Sequence, residues 1–259
     1  MRFFLSGKDL REWLSLGLLL LLVFGPLAWM AWLILFTPTF QVQAITIVDA
    51  RPHTADAIRS AIPDLKNKKI FFIDTKVLEE HIASTIPQVR TVHVVRKLPD
   101  TIKIVVQEKT PVILLLSNQH YYFVDASGIA YEEARLETLP GTVLPVVKNT
   151  DQNAQLTLGT AVVEPSFISF IQTIQDKIPA IVHAHVAEIR IPSLAAREVH
   201  FLLDTNWLLR FDSTRDPQVQ LAILQRVFNE TISDQQKKTL EYIDLRIPNR
   251  VYFKTKDNS

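Results

Sequence analysis

Apolar and polar positions divide the chain into three stretches with different periods. Residues 13–36, WLSLGLLLLLVFGPLAWMAWLILF, contain no charge. A bilayer core is crossed by about 20 apolar residues in a helix, so this stretch predicts one membrane span, with Gly25-Pro26 as a mild kink inside it. From residue 43 the period changes to two. Residues 43–48 put Ile45 and Ile47 on one face and predict a strand. Thr54 is then placed to cap a short helix whose Ile58, Ala61 and Ile62 share a stripe ending at Pro63. Asp74 predicts the cap of a second helix, with Leu78, Ile82 and Ile86 four residues apart and Pro87 as its stop. Two alternating strands follow, 89–95 and 101–107, and a link as short as 96–100 predicts a hairpin rather than a crossover. The order strand, helix, helix, strand, strand suits one small sheet covered on one face.

After Thr110-Pro111 strands dominate. Residues 112–116 and 121–124 flank the turn Ser117-Asn118-Gln119, and Asp125-Ala126-Ser127-Gly128 reverses the chain into Ile129-Ala130-Tyr131. Leu139-Pro140 and Leu144-Pro145-Val146 read as edge or loop segments because proline cannot donate to a ladder. Residues 167–178 have helical spacing; 186–191, 199–203 and 207–211 read as strands, the last two joined by Asp204-Thr205-Asn206 as a hairpin. Asp216-Pro217 starts a helix running through Leu221, Leu224, Val227 and Phe228. Residues 242–247 alternate, and Val251-Tyr252-Phe253 reads as the continuation of that strand past Pro248. The expected class is α+β: a single transmembrane helix, a small β-α-α-β-β domain, then a mixed, strand-rich β domain. The expected boundaries are 1–12 for a cytoplasmic tail, 13–36 for the span, 37–111 and 112–253 for the two domains, and 254–259 for a polar tail.

Charge adds an orientation. Arg2, Lys8 and Arg11 precede the span and the first basic residue after it is Arg51, so the N-terminus belongs inside and the bulk outside. A cleaved signal peptide is the alternative, with Val42-Gln43-Ala44 as a cleavage site; the length of the apolar run and the strand that cleavage would split favour a retained anchor. The span has no GxxxG pattern, so it reads as a tether or as a helix that pairs with a different partner helix. Beyond residue 36, acids and bases are equal in number, which argues against nucleic acid as a partner. The absence of cysteine excludes disulfides and thiol nucleophiles. Six glycines form no phosphate-cradling loop, and neither G-x-S-x-G nor H-E-x-x-H occurs. His183-x-His185 would share one face of a strand, but no carboxylate at a familiar spacing completes a metal site. No catalytic residue, cofactor or small-molecule substrate is expected.

Several separated strings are similar to one family. PQVRTVHVVRKLPDTIKIVVQEKTPV (residues 87–112) resembles the end of a POTRA domain as found in the bacterial cell-division proteins FtsQ and DivIB. FVDASG at 123–128, YIDLR at 242–246 and RVYFK at 250–254 extend the resemblance over nearly the whole chain. One departure is Asp49-Ala50, where the family often has a glycine after the first strand. A long basic cytoplasmic tail, present in some members, is also missing. The resemblance implies a non-enzymatic bitopic protein of the division septum in the cytoplasmic membrane. Its outer β domain would bind FtsB-like and FtsL-like division proteins, and its POTRA-like domain would contact other divisome components or membrane. A POTRA-bearing secretion or envelope-assembly component is the alternative, although such proteins usually add a membrane β-barrel for which few residues remain.

The site that follows is an edge strand, whose unpaired backbone groups can accept an extended peptide. Looking like the family's binding strand, Arg246, Ile247, Asn249, Arg250, Val251, Tyr252 and Phe253 are the expected partner-binding residues. Arg246 would offer a charge-assisted contact and Tyr252 an amphipathic anchor, or Arg246 pairs with Asp244 or Glu241 of its own domain. Arg96 is either a contact on the first domain or a brace for its hairpin.

Overall fold

The computed structural model describes residues 7–134, 144–248 and 250–256. Helix α1 (Gly7–Phe36) is continuous through Pro26. Its stretch Ser15–Leu33 is long and apolar enough to cross a membrane. After it the chain divides into two compact units, one up to Glu108 and one from Lys109.

The first unit contains β1 (Ala44–Val48), α2 (Pro52–Ala61), α3 (Thr75–Thr85), β2 (Val89–Lys97) and β3 (Thr101–Glu108). Its sheet runs β1-β3-β2: β1 lies parallel to β3 and β2 antiparallel to it. The alternation of β3 puts Ile102, Ile104 and Val106 into the core, where they meet Ile58 of α2 and Leu78 and Ile82 of α3. Each such side chain, fully buried, contributes about 1.5–3 kcal/mol. Asp74 caps α3, accepting from the amides of Lys76 and Val77. The cap of α2 differs from expectation. Arg51 occupies the cap position, Pro52 opens the helix, and Thr54 is buried inside it. Proline has no amide to leave unsatisfied in the first turn, so it starts the helix two residues earlier. Asp49 follows β1 at φ +63°, taking the left-handed turn that glycine would take with less strain.

The second unit is built on one ten-stranded sheet in the order β13-β12-β11-β10-β9-β7-β4-β5-β6-β8. The strands are β4 (Pro111–Ser117), β5 (His120–Asp125), β6 (Ile129–Ala134), β7 (Val146–Asn149), β8 (Thr160–Ala161), β9 (Val186–Ile191), β10 (Glu198–Leu203), β11 (Leu208–Asp212), β12 (Leu240–Asp244) and β13 (Tyr252–Thr255). The helices are α4 (Pro165–Val182), α5 (Pro217–Arg226) and α6 (Asp234–Lys238), with a π turn over Val227–Thr231 extending α5. The apolar stripe of α4, including Ile171, Ile174 and Ile178, joins Phe201, Leu209, Phe211 and Ile243 of the sheet in one core. Phe211 meets both Phe170 and Phe201 edge-on. The strand faces away from this core carry charged and polar groups between β9 and β13. The Gly128 turn matches the FVDASG string. Asp125 accepts from the amides of Ser127 and Ile129 at 2.9 and 3.1 Å. Gly128 sits at φ +80°, and a Cβ there would lie 1.9 Å from the Val163 carbonyl oxygen.

Three expectations are corrected here. Residues 144–146 do not form an edge: Val146 starts β7, which lies between β4 and β9 and is parallel to both. Pro145 stands just outside it and contributes only its carbonyl, to the amide of Leu114. Leu139-Pro140 lies outside the described residues. The last strand does not continue past Pro248 but turns back, so β13 pairs antiparallel with β12. It also runs to Thr255, into the stretch expected as a polar tail.

Candidate edge-strand interface

β13 is one end of the ten-stranded sheet and pairs with β12 alone among the described residues. Its register places Tyr252 opposite Asp244, Phe253 opposite Ile243 and Lys254 opposite Tyr242. Alternation along a strand then sorts the side chains. Phe253, with Val251 just before it, packs against the main core. Tyr252 and Lys254 face outward, with 47% of Tyr252 exposed. The Lys254 ammonium lies 2.7 Å from Glu241 on the neighbouring strand. Ile247 and Arg250 are also exposed. Of the expected binding residues, the structure thus gathers Ile247, Arg250 and Tyr252 on the surface and turns Val251 and Phe253 inward. Asn249 lies outside the described residues.

Arg246 is held by its own domain. Its guanidinium donates to Asp244 Oδ2 at 2.6 Å and to Glu198 on β10. Arg215, just ahead of α5, donates to the carbonyls of Leu245 and Arg246 at 2.9 and 3.2 Å. Two arginines therefore anchor the start of the link from β12 to β13, so the edge strand is supported from beneath. Glu198 and Arg215 had no signal in the sequence. They lie 48 and 31 residues from Arg246, and only the sheet order brings them there.

A row of charge crosses the sheet behind Tyr252. Pairing puts Arg190, His200, Arg210, Asp244 and Tyr252 side by side on adjacent strands. The Arg210 guanidinium stacks on Tyr242, 4.5 Å from its ring centre. Burial pushes the His200 imidazole below its ordinary value, the positive Arg210 and Arg190 push the same way, and Asp244 opposes them. Neutral His200 is what keeps two arginines tolerable on either side of it.

Arg96 on the first unit donates to the carbonyl of Ile73 at 2.7 Å, tying β2 to the residue before the α3 cap. At the end of the same sheet, burial alone would raise the Glu108 carboxyl, but the amide and guanidinium of Arg51 hold it below the usual range. His183 takes a left-handed conformation at the end of α4, and His185 pairs with Asp204. Among the described residues no group of three histidine or carboxylate side chains is placed to hold a metal.

Comparison with known proteins matches both units. Residues 40–109 match the family model described as POTRA domain, FtsQ-type, and residues 114–246 the one described as cell division protein FtsQ/DivIB, C-terminal. The second match ends before β13, so the edge strand is assigned on its geometry. Among curated proteins the chain is 28% identical to cell division protein FtsQ of Streptomyces collinus over 124 residues, 48% of this chain and 46% of that protein. It is 27% identical to FtsQ of Streptomyces venezuelae over 143 residues, 55% of this chain and 50% of the relative. Identity to cell division protein DivIB of Clostridium acetobutylicum is 26% over 95 residues, 37% and 38% of the two chains. The chain thus spans half or less of the length of these relatives. All the matches name division proteins, which sets aside the secretion and envelope-assembly alternative.

Proposed function

The chain belongs to the FtsQ/DivIB family of cell division proteins, and on that premise we propose that it is a membrane-anchored divisome scaffold whose β domain captures FtsB-like and FtsL-like partners by β-augmentation. The short N-terminus lies inside the cell, α1 crosses the cytoplasmic membrane, and both folded units lie outside at the septum. There the assembled complex recruits or regulates septal cell-wall synthesis, and the scaffold itself does no chemistry.

The observation that carries this reading is the edge position of β13. Its outward backbone groups face solvent along four residues, with Tyr252 at one end and Ile247 and Arg250 beside it. An incoming strand gains main-chain hydrogen bonds from the rail and specificity from the side chains that alternate along it. Arg246 contributes indirectly, by fixing the root of the rail. The test is co-purification from dividing cells of the tagged full-length chain carrying Tyr252→Glu. Loss of the FtsB-like and FtsL-like proteins, with an unchanged melting curve, is the expected result. Retention of both partners at wild-type levels would remove the rail from the site.

A further inference from the structure

The sequence from Lys66 to Phe72, KNKKIFF, is absorbed neither by the fold nor by the edge strand. It contributes Ile70 to the core of the first unit but leaves Phe72 71% exposed and Phe71 38% exposed, with Lys66 and Lys68 at the surface beside them. Val77, one turn into α3, is 60% exposed and adjoins Phe72 in the lining of the same hollow, which Lys68 and Lys69 border. Lys76 adds another exposed cation. The acids nearby are spent on backbone: Asp64 accepts from the Lys66 amide and Asp74 from the first turn of α3.

The place of this cluster in the chain decides what it meets. The Val42 amide donates to the Lys68 carbonyl, the Asn67 amide to the Val42 carbonyl, and Gln41 bridges Lys69. Lys69 Nζ donates to the Thr37 carbonyl at 2.5 Å, and the rings of Phe40 and Phe71 are 5.3 Å apart. The cluster is thus fastened to residues 37–42, which directly follow the end of α1 at Phe36. Five residues at full stretch reach roughly 17 Å, and surface potential acts over a Debye length of about 8–10 Å.

We propose that the Lys66–Phe72 segment, with Val77, is a membrane-docking face that seats the first unit on anionic lipid. Lysines bind the headgroup phosphates, and Phe72 and Val77 enter the interfacial zone, the division of labour of an interfacial anchor. An acidic peptide would satisfy the same lysines. It would have to arrive from solution, whereas the tether holds the bilayer at an effective concentration in the millimolar range, where weak contacts saturate. Tethering therefore favours lipid.

Because the chain contains no cysteine, Val77→Cys gives a unique position for a nitroxide in the full-length protein, reconstituted in vesicles of phosphatidylcholine with or without phosphatidylglycerol. Thr91→Cys, exposed on β2, is the control. With phosphatidylglycerol present, the label at 77 becomes shielded from a water-soluble nickel chelate and accessible to oxygen, while the label at 91 stays open. Each of Lys66→Glu and Lys68→Glu lowers the docked-to-free ratio by at least about fivefold, with melting curves reporting that the fold is kept. Equal exposure at 77 in both vesicles, insensitivity to the charge reversals, or shielding that needs an added acidic peptide would each overturn the assignment.

Discussion

The two ends of the ten-stranded sheet are built to different purposes. At one end β8 is two residues long, paired through Ala130 and Ile129, and sealed by the Gly128 carbonyl accepting the Val162 amide. At the other end β13 offers four residues and is braced from below by Arg246 and Arg215. A very short edge strand is a common way of denying a sheet further partners. A longer, supported one does the reverse. The contrast teaches that an edge becomes a docking rail only when its length and its foundation are both provided.

Gly128→Ala is the most damaging way to attack the closed end. The left-handed backbone and the 1.9 Å approach to the Val163 carbonyl leave no room for a Cβ. A loss of about 3 kcal/mol or more is expected in denaturant titration of the detergent-solubilised chain, and a loss under about 1 kcal/mol would refute the account of that turn. Arg246→Ala attacks the foundation of the open end. It leaves Asp244, which is 7% exposed, without its main cation. A cost of about 1–3 kcal/mol follows, with faster hydrogen exchange at residues 252–255 as the local signature; unchanged exchange there would mean the brace is idle.

Acidification separates the two units. Depressed below its ordinary value of 6.5, the His200 imidazole stabilises the fold fully above that value and progressively less as pH falls through it toward the folded value. The β unit should therefore weaken from just below neutrality, and His200→Gln should flatten that slope. Glu108 in the first unit, held below its ordinary 4.5, loses its contribution only in more acid solution. Unfolding curves between pH 7 and 4, followed by the buried Trp207, report the first effect; a flat wild-type profile above pH 5 would contradict it. The smallest effect on stability belongs to the outward residues. Tyr252→Glu and Thr160→Glu should each stay within about 0.5 kcal/mol of wild type, yet only the former should lose the partners. Loss by Thr160→Glu as well would erase the distinction between the two ends.

Much of the first unit was legible because its contacts follow local period. The stripe Leu78, Ile82, Ile86 and the alternation of Ile102, Ile104, Val106 both point into the core as read. What escaped depends on distant pairing. β7 has only four residues and follows a proline, so its interior place between two parallel neighbours left no trace in the pattern. α6 is five residues long, and its Ser233–Gln236 capping box was passed over for lack of an apolar stripe. Alternation on both sides of Pro248 looked like one strand, because a hairpin and a continuation share the same period. For the site, Tyr252 and Ile247 could be named from sequence, but the internal engagement of Arg246 needed Glu198, which arrives from another strand.

The residues that follow α1 are stitched by backbone bonds to residues 67–69 before the first strand begins. What leaves the bilayer is a strut rather than a leash: it fixes the altitude of the first unit and spares the entropy that a floppy stalk would spend on being found. Lengthening it with glycine and serine would change no contact in either fold, yet would let that unit wander off station.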